Sequence, residues 1–502
     1  MTKAVLIYNA QLLDESIDSP GALLIEDNQI RAVFQGYFTS PQTATALAQS
    51  VLKEDGCDKN CKLDLYDARG LTVTPAFIDM HVHMRYPGQT QKEDLESGLH
   101  AAAAGGFGNV VAMPNTNPVV SSIDMALQIE KAAAKIGLTH LFQTVSITKN
   151  FGGEDISHLK SLDKKFVPVI SEDGRDVLSS SVMLEGMKIA AEKGIVVSCH
   201  CEDPTLAIAA SPHRKEALEI MKTCGLSAWG TLDEDDDVDE ASLFKIDEAL
   251  KKANSYLALA EDIATIRNIM LAKESGCRIH LCHVSTENAI NAVHYAKNEL
   301  FDELQENAAN NADEAYDSFE ENRKFNPQRN DLAYEITCEV TPHHLALCGT
   351  EEPFIRALVN PPLRSEEDRI ALLEALRDGT VDVISTDHAP HTVEDKENGA
   401  PGFSGLETAF GICNTVLVKQ NQFNPGRLSQ LMSANPARIL GLQKGLLKPG
   451  YDADLTLIDC DEEWTVDSRM FCSKGKATPF EGKTLTGKVH VLFIDGRKVF
   501  ER

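Results

Sequence analysis

The chain has 502 residues, 43% hydrophobic and 25% charged, enough to bury a sizeable core and too ordinary for a small disulfide scaffold or a wholly disordered protein. Asp plus Glu (76) outnumber Lys plus Arg (48), and the resulting balance of −28 argues against nucleic acid and anionic membrane surfaces as partners. Twelve scattered cysteines and an amino terminus without the long apolar stretch of a signal peptide point to a reducing, cytoplasmic setting, and no apolar run reaches the ~18–20 residues of a membrane helix.

Residues 1–70 begin with strand-like pieces, AVLIYN and GALLIEDNQIRAVF. From residue 71 to 384, eight apolar or β-branched runs alternate with longer stretches of helical character. In chain order they are LTVTPAFIDMHVH, FGNVVAMPN, HLFQTVSI, KFVPVISED, GIVVSCHCE, CRIHLCHVS, YEITCEVTPHH and VDVISTDHAPH. That alternation predicts an α/β protein, a (β/α)8 TIM barrel over residues 71–442. The end of the chain returns to strands, DADLTLIDC and KVHVLFIDGRKVF, so residues 1–70 and 443–502 are expected to build one small composite β domain. Three segments, 39–62, 231–242 and 298–330, read as solvated surface insertions, and Cys57 and Cys61 as loop thiols rather than half of a zinc site.

Most of the eight runs end in His, Asp, Asn or Glu. Barrel enzymes carry their chemistry at the carboxyl ends of the strands, so these endings converge on one mouth. Strand alternation puts His81, His83 and Arg85 on one side. With Asp173, His200, His283 and Asp387 at other strand ends, four imidazoles and two carboxylates form an N/O ligand set suited to two adjacent zinc-like ions. His343 and His344 read as supporting or structural, and Asn115 alone as a turn former. Residues 396–405, with Gly and Pro hinges, read as a loop over the site.

The stretch PAFIDMHVHMRYPGQTQKEDLESGLHAAAAGGFGNVVAMPNTNPV closely resembles the signature of dihydroorotases in the amidohydrolase superfamily, as do TPHHL, NPPLR, STDHAPH and SKGKATPFEGKTLTGKV. The resemblance covers nearly the whole chain apart from the three insertions. It implies one or two Zn2+ ions per subunit, with His81, His83 and Asp387 on one, His200 and His283 on the other and Asp173 bridging; Glu172 stands where relatives usually carry another Asp, and Asp173 is the favoured bridge. It also implies that Arg85 pairs with the substrate carboxylate, assisted by Asn115 and His391. Asn360 and the backbone near Pro401 and Gly402 would hold the ring, and Asp387 would be general base and then general acid. The implied reaction is the reversible hydrolysis of dihydroorotate to N-carbamoyl-L-aspartate in pyrimidine biosynthesis, by a homodimer that could associate with aspartate transcarbamoylase. The competing readings are a hydantoinase or allantoinase type of cyclic amidase, and a silent relative serving as a structural partner of aspartate transcarbamoylase.

Overall fold

Each of the eight runs contributes a strand to one ring. In the computed structural model, which describes residues 3–54, 62–226, 238–310, 335–349 and 358–502, these are β1 (Phe77–Val82), β2 (Phe107–Ala112), β3 (His140–Gln143, continued by Val145–Ser146), β4 (Val169–Ser171), β5 (Val196–Cys199), β6 (Arg278–Leu281), β7 (Glu335–Val340) and β8 (Val383–Ile384). Every strand pairs in parallel with the next. A parallel bridge from Val82 to His388 closes the ring, where the His83 N–H donates to His388 O at 2.8 Å. The result is a (β/α)8 barrel.

The strands are short and buried on both faces, as a parallel sheet wrapped by helices requires, which explains their continuous apolar runs. Met80, Val111, Val169, Val196 and Val383, from five different strands, form one cluster with Ile439. Side chains from so many strands can meet only in the lumen, so this cluster fills the barrel interior. Returning helices stop cleanly before strands: Gly194 (φ 66°) and Gly276 (φ 66°) cap their helices in the left-handed conformation, two residues before β5 and β6 begin.

Both ends of the chain share a second sheet, in the order Arg497–Glu501, Thr484–Ile494, Leu455–Thr465, Thr72–Pro75, Lys3–Leu13, Asp18–Glu26, Gln29–Gln35, with Lys62–Asp67 also paired to Lys3–Leu13. The run LTVTPAFIDMHVH is therefore not one strand. Thr72–Pro75 belongs to this sheet and β1 to the barrel, and at Ala76, between them, the N–H donates to Asp454 O at 2.9 Å. Along the first strand the period is two as far as Tyr8: Val5 and Ile7 enter one apolar cluster, Ala4, Leu6 and Tyr8 the other; a bulge at Asn9 (φ 56°) then shifts the parity, and Ala10 and Leu12 join Val5 and Ile7.

The segment expected to be a surface insertion at 39–62 is in large part a helix, Pro41–Glu54, whose Ala44, Ala48 and Leu52 recur every fourth residue and are buried against Ala4, Leu6 and Tyr8. It covers a face of the sheet that would otherwise lie open. Cys57 and Cys61 fall outside the described residues. Of the other two insertions, residues 298–310 continue the helix Glu287–Asn310 and Asp239 caps the helix Glu240–Ser275; the remainder, 231–237 and 311–330, is outside the described residues. Among the described residues no helix is long and apolar enough to cross a membrane.

Candidate active site

The six residues expected as ligands all stand at the carboxyl ends of strands. His81 is in β1 and His83 just beyond it, Asp173 two residues past β4, His200 directly after β5, His283 two past β6 and Asp387 three past β8. All six are buried, and they meet. His81 Nε2 lies 3.1 Å from Asp173 Oδ1 and 3.5 Å from Asp387 Oδ1, and His83 Nε2 lies 3.1 Å from the same Asp387 oxygen. His200 Nδ1 is 3.3 Å from Asp173 Oδ1 and 2.9 Å from His283 Nε2, while Asp173 Oδ2 turns to His83 Nε2 at 3.5 Å. Asp173 thus stands at the centre, with one oxygen toward His81 and His200 and the other toward His83.

Whether these residues suit a metal can be judged from their unspent bonding capacity. His81 Nε2 and Asp173 Oδ1 are buried and close, yet neither makes a hydrogen bond among the described residues. Buried donors and acceptors are normally paired, so such orphans call for a partner. His81, His83 and Asp387 form one compact group of potential ligand atoms and His81, Asp173 and His283 another. Imidazole nitrogens and carboxylate oxygens at this spacing fit one or two divalent cations.

The electrostatics agree with that fit. Burial alone would raise Asp173, Asp387 and Glu339, but the imidazoles around them win: His81 and His200 hold Asp173 well below the usual carboxylate range, His81 and His83 hold Asp387 at about 2, and His81 and His280 hold Glu339 well below its ordinary value. In return His200, despite burial, is pushed up to about 10, chiefly by Asp173 and Glu202, whereas burial beside His200 and His81 brings His283 down to about 4. Several buried carboxylates in one place attract positive charge.

Supporting groups explain how the ring of ligands keeps its shape. His81 Nδ1–H donates to Glu339 Oε1 at 2.8 Å, and Glu339 Oε2 accepts from His280 Nε2 at 3.0 Å, so Glu339 fixes the tautomer that leaves Nε2 free to face inward. Asp79 accepts from the backbone N–H of His81 at 3.0 Å and of Thr386 at 3.2 Å, tying the first strand end to the last. Sequence reasoning missed Glu339, and left Asp79 and Glu202 unassigned. Between the two acidic candidates after β4, Glu172 turns away, accepting from the Thr148 N–H at 2.8 Å and from its hydroxyl, while Asp173 faces the imidazoles.

Arg85 reaches the mouth by a route that strand parity did not foresee. β1 ends at Val82, and Arg85 sits in a left-handed turn (φ 53°), as do His283 (φ 35°) and Asp387 (φ 48°). Left-handed non-glycine residues cost ~1–3 kcal/mol each and are retained where function needs the geometry. Arg85 Nε donates to Pro390 O at 3.1 Å, and Nη2 lies 3.2 Å from His391 Nε2. That nitrogen already faces Pro401 O at 2.9 Å, while Lys92 Nζ stands 3.3 Å from Nδ1. Burial and the cations Arg85 and Lys92 bring His391 down to about 3, hence neutral, with Nε2–H donating to Pro401 and no lone pair there for Arg85. Burial lowers Arg85 only to about 10, so the guanidinium stays charged, with its outer N–H groups available to an anion.

Asn115 is more than a turn residue: its Oδ1 accepts from His83 Nδ1 at 2.9 Å and its Nδ2 donates to Asp173 Oδ2 at 3.1 Å. Asn360 Nδ2 donates to Glu202 Oε2 at 2.9 Å, two residues after His200. Gly402 N–H donates to Leu358 O at 2.9 Å, bringing the Pro401–Gly402 segment beside the Asn360 segment. His344, held by Thr341 at 2.7 Å and Pro361 O at 3.2 Å, has a structural part, as expected.

Residues 72–499 match the amidohydrolase family. A dihydroorotase of Clostridium botulinum is 36% identical over 499 residues, covering 99% of this chain and all of the relative, and the dihydroorotase of Aquifex aeolicus is 33% identical over 93% of this chain and 99% of its own. The chain belongs to the dihydroorotase branch of the amidohydrolase family. The L-hydantoinase (dihydropyrimidinase) from Arthrobacter aurescens shares this family's fold, with a TM-score of 0.74 at 24% identity, covering 99% of this chain and 96% of that one.

Proposed function

We propose that this chain catalyses the reversible hydrolysis of dihydroorotate to N-carbamoyl-L-aspartate, with His81, His83, Asp173, His200, His283 and Asp387 holding one or two Zn2+ ions. The observation that carries the reading is the meeting of six residues from five strand ends around His81 Nε2 and Asp173 Oδ1, unpaired among the described residues, beside a buried, charged arginine. Bound ions would supply Lewis acidity, polarising the ring amide carbonyl and lowering the pKa of the attacking water.

The chain's own residues supply the rest. Asp387, ionised and next to His83, accepts the proton released as water adds to the carbonyl carbon, then delivers it to the ring nitrogen as the C–N bond breaks. Arg85 presents a fork to the free carboxylate of the substrate, a geometry lysine does not reproduce. His391, neutral and fixed between Lys92 and Pro401, stands beside that guanidinium and assists at the same carboxylate. Asn360, Pro401 and Gly402 line the ring side, and Asn115 orients His83 and Asp173. By the same reading the chain acts in the cytoplasm as a homodimer able to associate with aspartate transcarbamoylase; light scattering and co-elution of the full chain test both.

A substrate panel with metal analysis decides the activity. Turnover of dihydroorotate that is lost on chelation and restored by Zn2+ supports it; hydantoin turnover without dihydroorotate turnover overturns it. Arg85→Lys should raise KM for dihydroorotate about 10- to 100-fold with metal content unchanged, since the fork is lost and the ligands are not. Native kinetics in that variant would remove Arg85 from the specificity argument.

A further inference from the structure

Lys396 is only 1% exposed, one of the largest fully buried side chains of the protein, and the chemistry above does not use it. It lies on the short helix Val393–Glu397 that follows β8. Its Nζ donates to three backbone carbonyls, Leu358 O at 2.9 Å, Ala400 O at 2.7 Å and Gly402 O at 2.9 Å, above the Phe403 ring with Nζ 4.9 Å from the centroid. An ammonium has three N–H donors and a neutral amine two, so only the charged form satisfies the cage. Burial and the Arg214 guanidinium pull the group down to about 7, and the three carbonyls and the ring oppose that pull.

The acceptors are not arbitrary carbonyls. Leu358 is two residues before Asn360, and Ala400 and Gly402 flank Pro401, whose oxygen accepts from His391. Gly402 N–H donates to the same Leu358 oxygen, and Arg214 from the helix Pro204–Thr223 donates to Val359 O at 2.5 Å. Gly402 has φ +132°, and a Cβ there would stand 2.7 Å from Ala389 Cβ, so the close approach is built in. The segment read from sequence as a hinged loop is therefore tied down, and beside the Gly402–Leu358 backbone bond one ammonium joins the β7–β8 connection to the loop after β8.

We propose that Lys396 is a positioning residue for the substrate ring: by clamping Leu358, Ala400 and Gly402 it holds Asn360 and the Pro401–Gly402 backbone in their binding arrangement before substrate arrives. The inference rests on the dihydroorotase reading. It predicts that Lys396→Met raises KM for dihydroorotate about tenfold while kcat stays within about threefold and metal content is unchanged, the signature of lost ground-state binding. Ethylammonium added to Lys396→Ala should restore much of the KM, and ethanol should not. Hydrogen exchange at the Gly402 amide, measured without substrate, should speed up in Lys396→Met. If that variant does not fold, Lys396→Gln, which keeps two donors, carries the same measurements. Native KM together with native Gly402 protection would overturn the proposal, as would a loss confined to kcat. Should the native chain fail to turn over dihydroorotate, the functional reading falls alone, and Gly402 exchange still judges the clamp.

Discussion

The composite sheet and the barrel mouth are built by opposite rules. In the sheet, the first strand sends side chains alternately to two apolar clusters as far as the bulge at Asn9, Val5 and Ile7 to one and Ala4, Leu6 and Tyr8 to the other, and past the bulge Ala10 and Leu12 rejoin the first. At the mouth, carboxylates and imidazoles are buried together, and His81 Nε2 and Asp173 Oδ1 make no hydrogen bond among the described residues. Stability comes from the first arrangement and is spent on the second, which is the expected mark of a functional site.

Substitutions should separate the two. Asp387→Asn is expected to cost about 10³-fold or more in kcat through loss of the proton carrier. A variant retaining near-native kcat would show that another group moves the proton. Leu6→Ala in the sheet should behave oppositely. It leaves a cavity under the helix Pro41–Glu54 at a cost of about 2–5 kcal/mol, with kcat and KM unchanged below the melting range. An equal loss of activity in that variant would mean that the sheet shapes the site as well as supporting it.

The same contrast explains what could be read from sequence. The eight barrel strands were legible because a strand buried on both faces is a local apolar run. The candidate ligands were legible because they punctuate the ends of those runs. Glu339 was not: its meaning depends on His81, 258 residues away, and nothing local marks it. Arg85 was expected at the mouth from a parity that stops at Val82, since a left-handed turn, not a pleat, carries the chain onward. The helix Pro41–Glu54 was hidden because alanines supply most of its buried stripe, and the division of LTVTPAFIDMHVH at Ala76 because both halves are equally apolar.

Glu339→Gln tests the least legible of these groups. A glutamine keeps one acceptor for His81 or His280 but not both as a charge, so metal affinity, read by competition with a chelator, should fall about 10- to 100-fold while the barrel remains folded. Unchanged affinity would make Glu339 a packing residue only.

A smaller effect marks the limit of reading function from a perturbed acid. Burial pushes Glu130, on the helix Ile123–Ile136, up to about 7, and among the described residues it accepts only the Gln143 N–H, at 3.0 Å. Between the ordinary glutamate value and about 7 the folded chain keeps a proton that the unfolded chain has lost. Stability contributed by this group is therefore full at lower pH and declines as pH rises through that window. Glu130→Gln, a neutral side chain that still accepts from Gln143, should raise the unfolding midpoint slightly at pH 8, leave it nearly unchanged at pH 5, and alter neither kcat nor KM. Equal midpoints for variant and native chain at both pH values would show that water reaches Glu130 and relieves the burial. A change in kcat would instead draw the helix after β2 into the site, and the boundary between support and chemistry would have to be moved outward.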